Sequence, residues 1–204
     1  MARKKYMNPP IIEALCELTF ELPSDTPVNF ITLPGLLQAK LGDAYSGQPR
    51  EQRVQSVTVP VGSELDRIQV QDQMVRLQLL TKDGTRVLSV GPNTLGISML
   101  APYGDDGWEG EFQPRIKAAL SAYMAIAAPL AVTRIGMRYI NQIELPDPKA
   151  NAESYFTLNQ EKIDNCRLTA FLKRLEYQSD DDIKILLTYA TITPKKTQHF
   201  SILT

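Results

Sequence analysis

The segment Ile11 to Leu22 alternates between apolar and polar side chains so regularly that one backbone geometry fits it. Ile12, Ala14, Cys16, Leu18, Phe20 and Leu22 hold the even positions, and Glu13, Glu17, Thr19 and Glu21 stand among the odd ones. Period two marks a half-buried strand with a carboxylate stripe on its outer face, so Cys16 is expected to point inward. Pro9 and Pro10 fix its beginning, and Pro23, Ser24-Asp25 and Pro27 stop it.

Val54, Val57 and Val59; Ile68 and Val70; Val75, Leu77 and Leu79; Val87 to Val90; and Leu95, Ile97 and Met99 carry successive β signals. Asp83-Gly84 tolerates the positive φ of a tight hairpin turn, and Gly91-Pro92-Asn93 makes the next turn. The reading is an antiparallel meander of three or four strands. Val132 to Leu145 is strand-like again, with Ile135, Met137 and Tyr139 on one face and Arg134, Gly136 and Arg138 on the other. Leu168 to Leu175 and Ile183 to Thr193 read as a hairpin around Ser179-Asp180-Asp181-Asp182.

Two stretches have helical spacing instead. Phe30, Leu33, Leu36, Leu37, Lys40 and Leu41 recur at three and four, which predicts a helix from about Leu33 to Tyr45 with Pro34 in its first turn. Trp108, Phe112, Ile116, Leu120, Tyr123 and Met124 line one face of a longer helix, capped by Asp105 or Asp106 and ended by Pro129. Pro114 requires either an irregular first turn or a start near Phe112. The fold class expected is α+β: antiparallel sheet or sheets with two main helices packed on one face, the other face being free if the two halves of the chain are repeats.

At 204 residues the chain is read as a single α+β domain over 1–204. Glu21-Leu22-Pro23 recurs as Glu144-Leu145-Pro146, an offset of 123 residues at which the inward phase of the two strands is kept. Two β-α-β-β-β pseudo-repeats, about 8–100 and 101–204, are therefore the alternative organisation, with chance recurrence the competing account.

Composition narrows the function classes. With 22 basic and 23 acidic residues the formal charge is −1, so duplex nucleic acid, whose affinity rests on neutralising phosphates, is weakly supported as a partner. Cys16, Cys166 and the single His199 are too few and too scattered for a structural zinc site or a histidine-based triad. No metal, cofactor or catalytic residue is assigned. Basic residues at the start are not followed by an apolar h-region, and Leu120 to Val132 is too short to span a bilayer, so the expectation is a cytoplasmic protein without membrane association.

The chemistry-bearing residues concentrate on strands. Glu13 and Glu17 are four apart, Arg134 and Arg138 likewise, and on neighbouring strands they would form a ladder of alternating charge. That ladder is either a structural ion-pair network or, with Tyr139 and Asn141, a polar binding surface. Two carboxylates about 13 Å apart on one strand do not flank one bond, which argues against acid/base work. Gly104 to Gly110 has glycines but no Gly-Lys-Ser/Thr and three carboxylates, so it reads as a helix-initiating turn and not a phosphate loop. Asp182-Ile183-Lys184 has the acid-x-Lys form of metal-dependent nucleases, with Asp164 or Glu176 as second acid, or is simply an acidic hairpin turn. Lys4-Lys5, Lys173-Arg174 and Lys195-Lys196 are basic pairs that make no stripe, and Tyr6, Tyr139 and Tyr177 are the aromatics that single-strand binding would use.

Asn8-Pro9-Pro10-Ile11-Ile12-Glu13, Gly91-Pro92-Asn93, Trp108 to Phe112 and Arg134-Ile135-Gly136-Met137-Arg138-Tyr139-Ile140-Asn141, in this order, resemble a sporadically distributed, functionally uncharacterised family of bacterial proteins. The resemblance covers most of the chain. It implies a prokaryotic cytosolic protein and carries no activity, cofactor or catalytic residue with it; patchy distribution associates such proteins with accessory loci of the defence or toxin-antitoxin kind. Members of that family look longer, and this chain stops in the apolar run Phe200 to Thr204, so an open sheet edge is expected there if a last strand is missing or supplied by another chain. The function expected is a non-catalytic interaction or regulatory protein that binds a protein partner. The alternatives are a metal-dependent hydrolase or nuclease using Asp182 and Lys184, and a nucleic-acid or nucleotide binding module.

Overall fold

The computed structural model describes residues 9–24, 29–58, 69–103, 106–144, 170–192 and 201–203. Asp105, Asp164, Cys166, Lys195, Lys196 and His199, together with Lys4, Lys5 and Tyr6, lie outside the described residues. The architecture is α+β, and the chain divides into two compact units, one formed by 13–138 and the other by 1–12 with 139–204.

In the first unit β1 (Ile11–Glu21) is followed by α1 (Leu33–Leu41), which tightens into a 3-10 turn over Gly42–Tyr45. Four strands come next: β2 (Arg50–Thr58), β3 (Gln69–Leu80), β4 (Arg86–Val90) and β5 (Thr94–Leu100). They are the expected antiparallel meander. Its β3–β4 turn has Gly84 at φ 72° and the Asp83 carboxylate accepting from Thr81 Oγ1, Thr85 N–H and Thr85 Oγ1. These hydrogen bonds, that from Thr81 foremost, bring the Asp83 pKa down to about 2. Then come α2 (Gln113–Ala127) and β6 (Ala131–Glu144).

The strand order is β2-β3-β4-β5-β1-β6, which places the first strand between two late ones. Glu13 faces Leu100 and Thr19 faces Thr94 across the antiparallel β1–β5 pair. On the other edge of β1, Leu130 N–H donates to Glu21 C=O at 2.8 Å and Thr133 Oγ1 to Thr19 C=O at 3.2 Å, so β6 also runs antiparallel to it.

The alternation of β1 sets the core. Ala14, Cys16, Leu18 and Phe20 are buried, and register puts them beside Met99, Ile97 and Leu95 of β5 and, one strand further, Leu88 and Val90 of β4. Burial pushes the Cys16 thiol pKa up, as it does for any thiolate deprived of water. Helix α1 packs on α2 and against β3, and α2 packs against β5. Phe20 stacks on Tyr123 of α2 at 4.2 Å between ring centroids, with planes 19° apart.

Several sequence expectations are corrected by this packing. Leu36 and Met124, assigned to helix faces turned inward, are exposed, and the buried residues of α2 are Ala119, Ala122, Tyr123 and Ala127. Small side chains let a helix lie close to a sheet, and the larger Met124 is left at the margin. Pro114 is accommodated by an irregular first turn and a late start together: Trp108–Phe112 is π-helical and the α-helix begins at Gln113. Asp106 provides no side-chain cap; its backbone C=O accepts from Gly110 N–H. Ile135 and Met137 of β6, read as a core face, are 69% and 41% exposed. The second sheet face is not left free over β3 to β5, because Leu80, Val87, Ser89 and Ser98 are buried there.

The Tyr123 hydroxyl is buried and has no hydrogen-bond partner among the described residues, and burial pushes its pKa up to about 12. Tyr123→Phe should therefore leave stability unchanged or raise it by about 1–3 kcal/mol, since an unsatisfied group is removed while the ring stack stays. Urea unfolding of the two proteins checks this. A loss beyond about 1 kcal/mol would mean that the hydroxyl is satisfied.

The second unit holds the end of β6, then β7 (Leu172–Gln178), β8 (Lys184–Ile192) and β9 (Ser201–Leu203). The strand order is β6-β9-β8-β7, all antiparallel. The hairpin forms where expected, with Ser179 N–H donating to Ile183 C=O and Asp182 in the left-handed region at φ 57°. The expectation of an open edge at the last apolar run is not met: residues 201–203 pair with β6 on one side and β8 on the other.

Candidate functional site

Of the six residues singled out from sequence, four come together. Antiparallel pairing of β1 and β6 sets Glu17 by Arg134 and Glu13 by Arg138, each pair bonded at 3.2 Å. Glu17 also takes Arg76 of β3 at 2.7 Å, and Ser98 Oγ donates to Glu13 at 3.2 Å. Arg76 reaches Glu17 from β3 by crossing over Gly96, where an added Cβ would stand 3.9 Å from its guanidinium. Burial pushes the Glu17 carboxyl up, but the guanidiniums of Arg76 and Arg134 outweigh it and hold the group below its ordinary value. Strand alternation puts Tyr139 and Asn141 on the face of β6 opposite to that of Arg134 and Arg138.

Chemically this ladder is saturated. Each carboxylate is already engaged by at least one guanidinium, and the two arginines of β6 are more than half exposed while the acids are about three-quarters covered. It locks β1 to its neighbours and holds no group poised for proton transfer. Arg134→Ala and Arg138→Ala should each cost only about 0–1 kcal/mol, a loss that fades in high salt, as for any pair with one solvated partner. Denaturation at two ionic strengths reads this directly.

A second charged group, not anticipated from sequence, lies at the mouth of a depression of about 490 Å³ lined by Asp43, Lys82, Asp83, Arg86, Glu111 and Arg115. Arg86 is inward-facing on β4 and only 8% exposed. Its Nε and Nη2 donate to the two Glu111 oxygens at 2.6 and 3.0 Å, and its Nη1 donates to the Thr85 and Leu100 carbonyls. Arg115 Nε donates to Glu111 at 3.0 Å, one helical turn on. The Arg86 hydrogen bonds, ahead of an opposing burial effect, hold the Glu111 carboxyl below its ordinary value. The signal was present in the sequence: Arg86 shares the inward phase of Leu88 and Val90, and Glu111 and Arg115 have i,i+4 spacing. Three acids and three bases line the depression, so their formal charges balance.

Among the described residues the acid-x-Lys element assembles no metal centre; Asp164, one of its two candidate second acids, lies outside them. Lys184 is engaged by Glu176 across the β7–β8 pair, Asp182 sits in the turn, and among the described residues no group of three or more His, Cys, Asp or Glu could hold a metal ion. No helix of the described residues is long and apolar enough to cross a membrane.

What the second unit exposes instead is apolar. Register puts Leu175 opposite Leu187 and Tyr177 opposite Ile185, all on one face of the hairpin. Tyr177, Ile185 and Leu187 are 50%, 48% and 39% exposed. Comparison with family models, with curated proteins and with solved structures finds no match to this chain.

Proposed function

We propose that the chain is a non-catalytic interaction protein that binds a protein partner in the bacterial cytoplasm, as part of an accessory locus of the defence or toxin-antitoxin kind. The observation that carries this reading is the Tyr177, Ile185 and Leu187 face, an apolar cluster of the composition that protein interfaces cover. The balanced overall charge gives no electrostatic drive toward nucleic acid, and the acids of the two charged clusters are already paired with guanidinium groups. The accessory-locus setting rests on the sequence resemblance.

The test is purification of the tagged chain from its native host at moderate salt, followed by intact-complex mass spectrometry. Wild type is expected to carry a stoichiometric protein partner, and a variant with Ile185→Lys and Leu187→Glu, folded by circular dichroism, is expected to lose it. Recovery of the wild type alone, or a partner kept by the variant, would overturn the reading.

A further inference from the structure

Strand β7 ends the strand order of its unit, and among the described residues no strand pairs with its outer edge. Which backbone groups that edge presents follows from the inner pairing. Thr191 N–H donates to Phe171 C=O, and Ser179 N–H donates to Ile183 C=O, so the odd residues of β7 turn their backbone groups toward β8. Antiparallel ladders alternate, and the N–H and C=O of Leu172, Arg174, Glu176 and Gln178 therefore point outward. An unbulged edge of this length that no strand among the described residues pairs is a template for another strand.

We propose that this template is for a second copy of this chain, docked antiparallel on β7 about a two-fold axis at Leu175. The argument lies in the register. A two-fold pair of identical strands can bond only where outward residues face outward residues, which leaves few alignments. Centring the axis on Arg174 sets arginine against arginine, and centring it on Glu176 sets glutamate against glutamate. Centring it on Leu175 sets Arg174 against Glu176 of the second copy, and the same pair again by symmetry, with Leu172 against Gln178 as the outer bonded pair.

Both faces of the strand are satisfied in that alignment. On one, Leu175 meets its own copy at the close, non-bonded position, and Lys173 lies opposite Tyr177, whose ring accepts an alkyl stem or an ammonium. On the other, Lys184 of β8 already engages Glu176, so the charges would run lysine, glutamate, arginine across the junction, each beside its opposite. Four hydrogen-bonded residue pairs would exchange about eight backbone hydrogen bonds. The same charges that discourage unrelated strands favour this one. The inference does not rest on the proposed partner protein, since the outward backbone groups of β7 and the Arg174–Glu176 register carry it.

Sedimentation velocity of the purified full chain at low salt and high micromolar concentration tests it. Wild type is expected to show a species of twice 22.8 kDa. Arg174→Glu, which sets four carboxylates together at the junction, is expected to weaken the dimer by about tenfold or more, and Glu176→Arg likewise. The double variant with Arg174→Glu and Glu176→Arg restores opposite charges in the same register and is expected to dimerise again. Circular dichroism and thermal melting confirm that each variant is folded. A monomeric wild type, a dimer indifferent to either single change, or a double variant no better than the singles would each overturn the proposal.

Discussion

Glu111→Ala is expected to lower the unfolding free energy by about 2–3 kcal/mol, because it removes the carboxylate that pairs directly with the Arg86 guanidinium on the inner face of the sheet and leaves only the more distant Asp83 charge. The figure sits at the low end for a broken buried pair, since the Glu111 side chain is about a quarter exposed and Arg115 loses only a solvated partner. Glu111→Gln should cost less, as the amide oxygen still accepts one hydrogen bond. Arg86→Met combined with Glu111→Leu should recover most of the loss, because neither charge then remains to be desolvated. Acid titration supplies an independent readout. The folded-state carboxyl of Glu111 lies below its unfolded value of 4.5, so its contribution is fully present above that pH and is lost as pH falls through the native value. The glutamine variant should therefore be less stable at neutral pH and decline less steeply below pH 4.5 than wild type. Parallel declines would mean that the pair does not control the acid limb.

Phe20→Ala should cost about 3–5 kcal/mol, the range for emptying a buried aromatic site. Phe20 is 2% exposed and lies at the end of the inward row of β1, where its ring covers Tyr123. Its removal exposes the inner surface of α2 to a cavity that alanine side chains in that helix cannot fill by relaxing. Phe20→Leu keeps most of the volume and should cost roughly 1–2 kcal/mol. Urea denaturation should show the midpoint fall with an unchanged slope, since the area exposed on unfolding is nearly the same. Against a typical total of about 5–15 kcal/mol, the alanine change alone removes a large fraction. A loss under about 1 kcal/mol would show that the helix moves in to close the gap.

The elements that sequence reading identified best are those whose signal is local. The alternation of β1, the Asp83-Gly84 turn and the Ser179 to Asp182 turn depend on a few adjacent residues, and each lies where its pattern predicts. What failed was the assignment of burial. Hydrophobicity ranks Met124 above Ala122, yet close approach of α2 to the sheet favours the smaller residue. Ile135 and Met137 have the right phase for a core strand, but phase says nothing about whether a helix lies above them. The candidate site divides in the same way. Spacing of four on two strands pointed to the Glu13, Glu17, Arg134 and Arg138 ladder, whereas Arg76 joins it only because tertiary register sets Gly96 beneath its path.

The position of β1 governs the order in which the first unit can be assembled. Its residues are synthesised first, but the strands that flank it begin only at Thr94 and Ala131. At a ribosomal rate of roughly 5–20 residues per second, the apolar row from Ala14 to Phe20 waits between about four and fifteen seconds for its first partner to emerge. During that interval the row is a sticky ribbon with both margins vacant. Refolding from denaturant faces the same constraint as a long loop to be closed, so the rate should be set by the meeting of β1 with β5 and not by the local hairpin at Gly84. The strand that organises the native core is thus the one most in need of protection while the chain is being made.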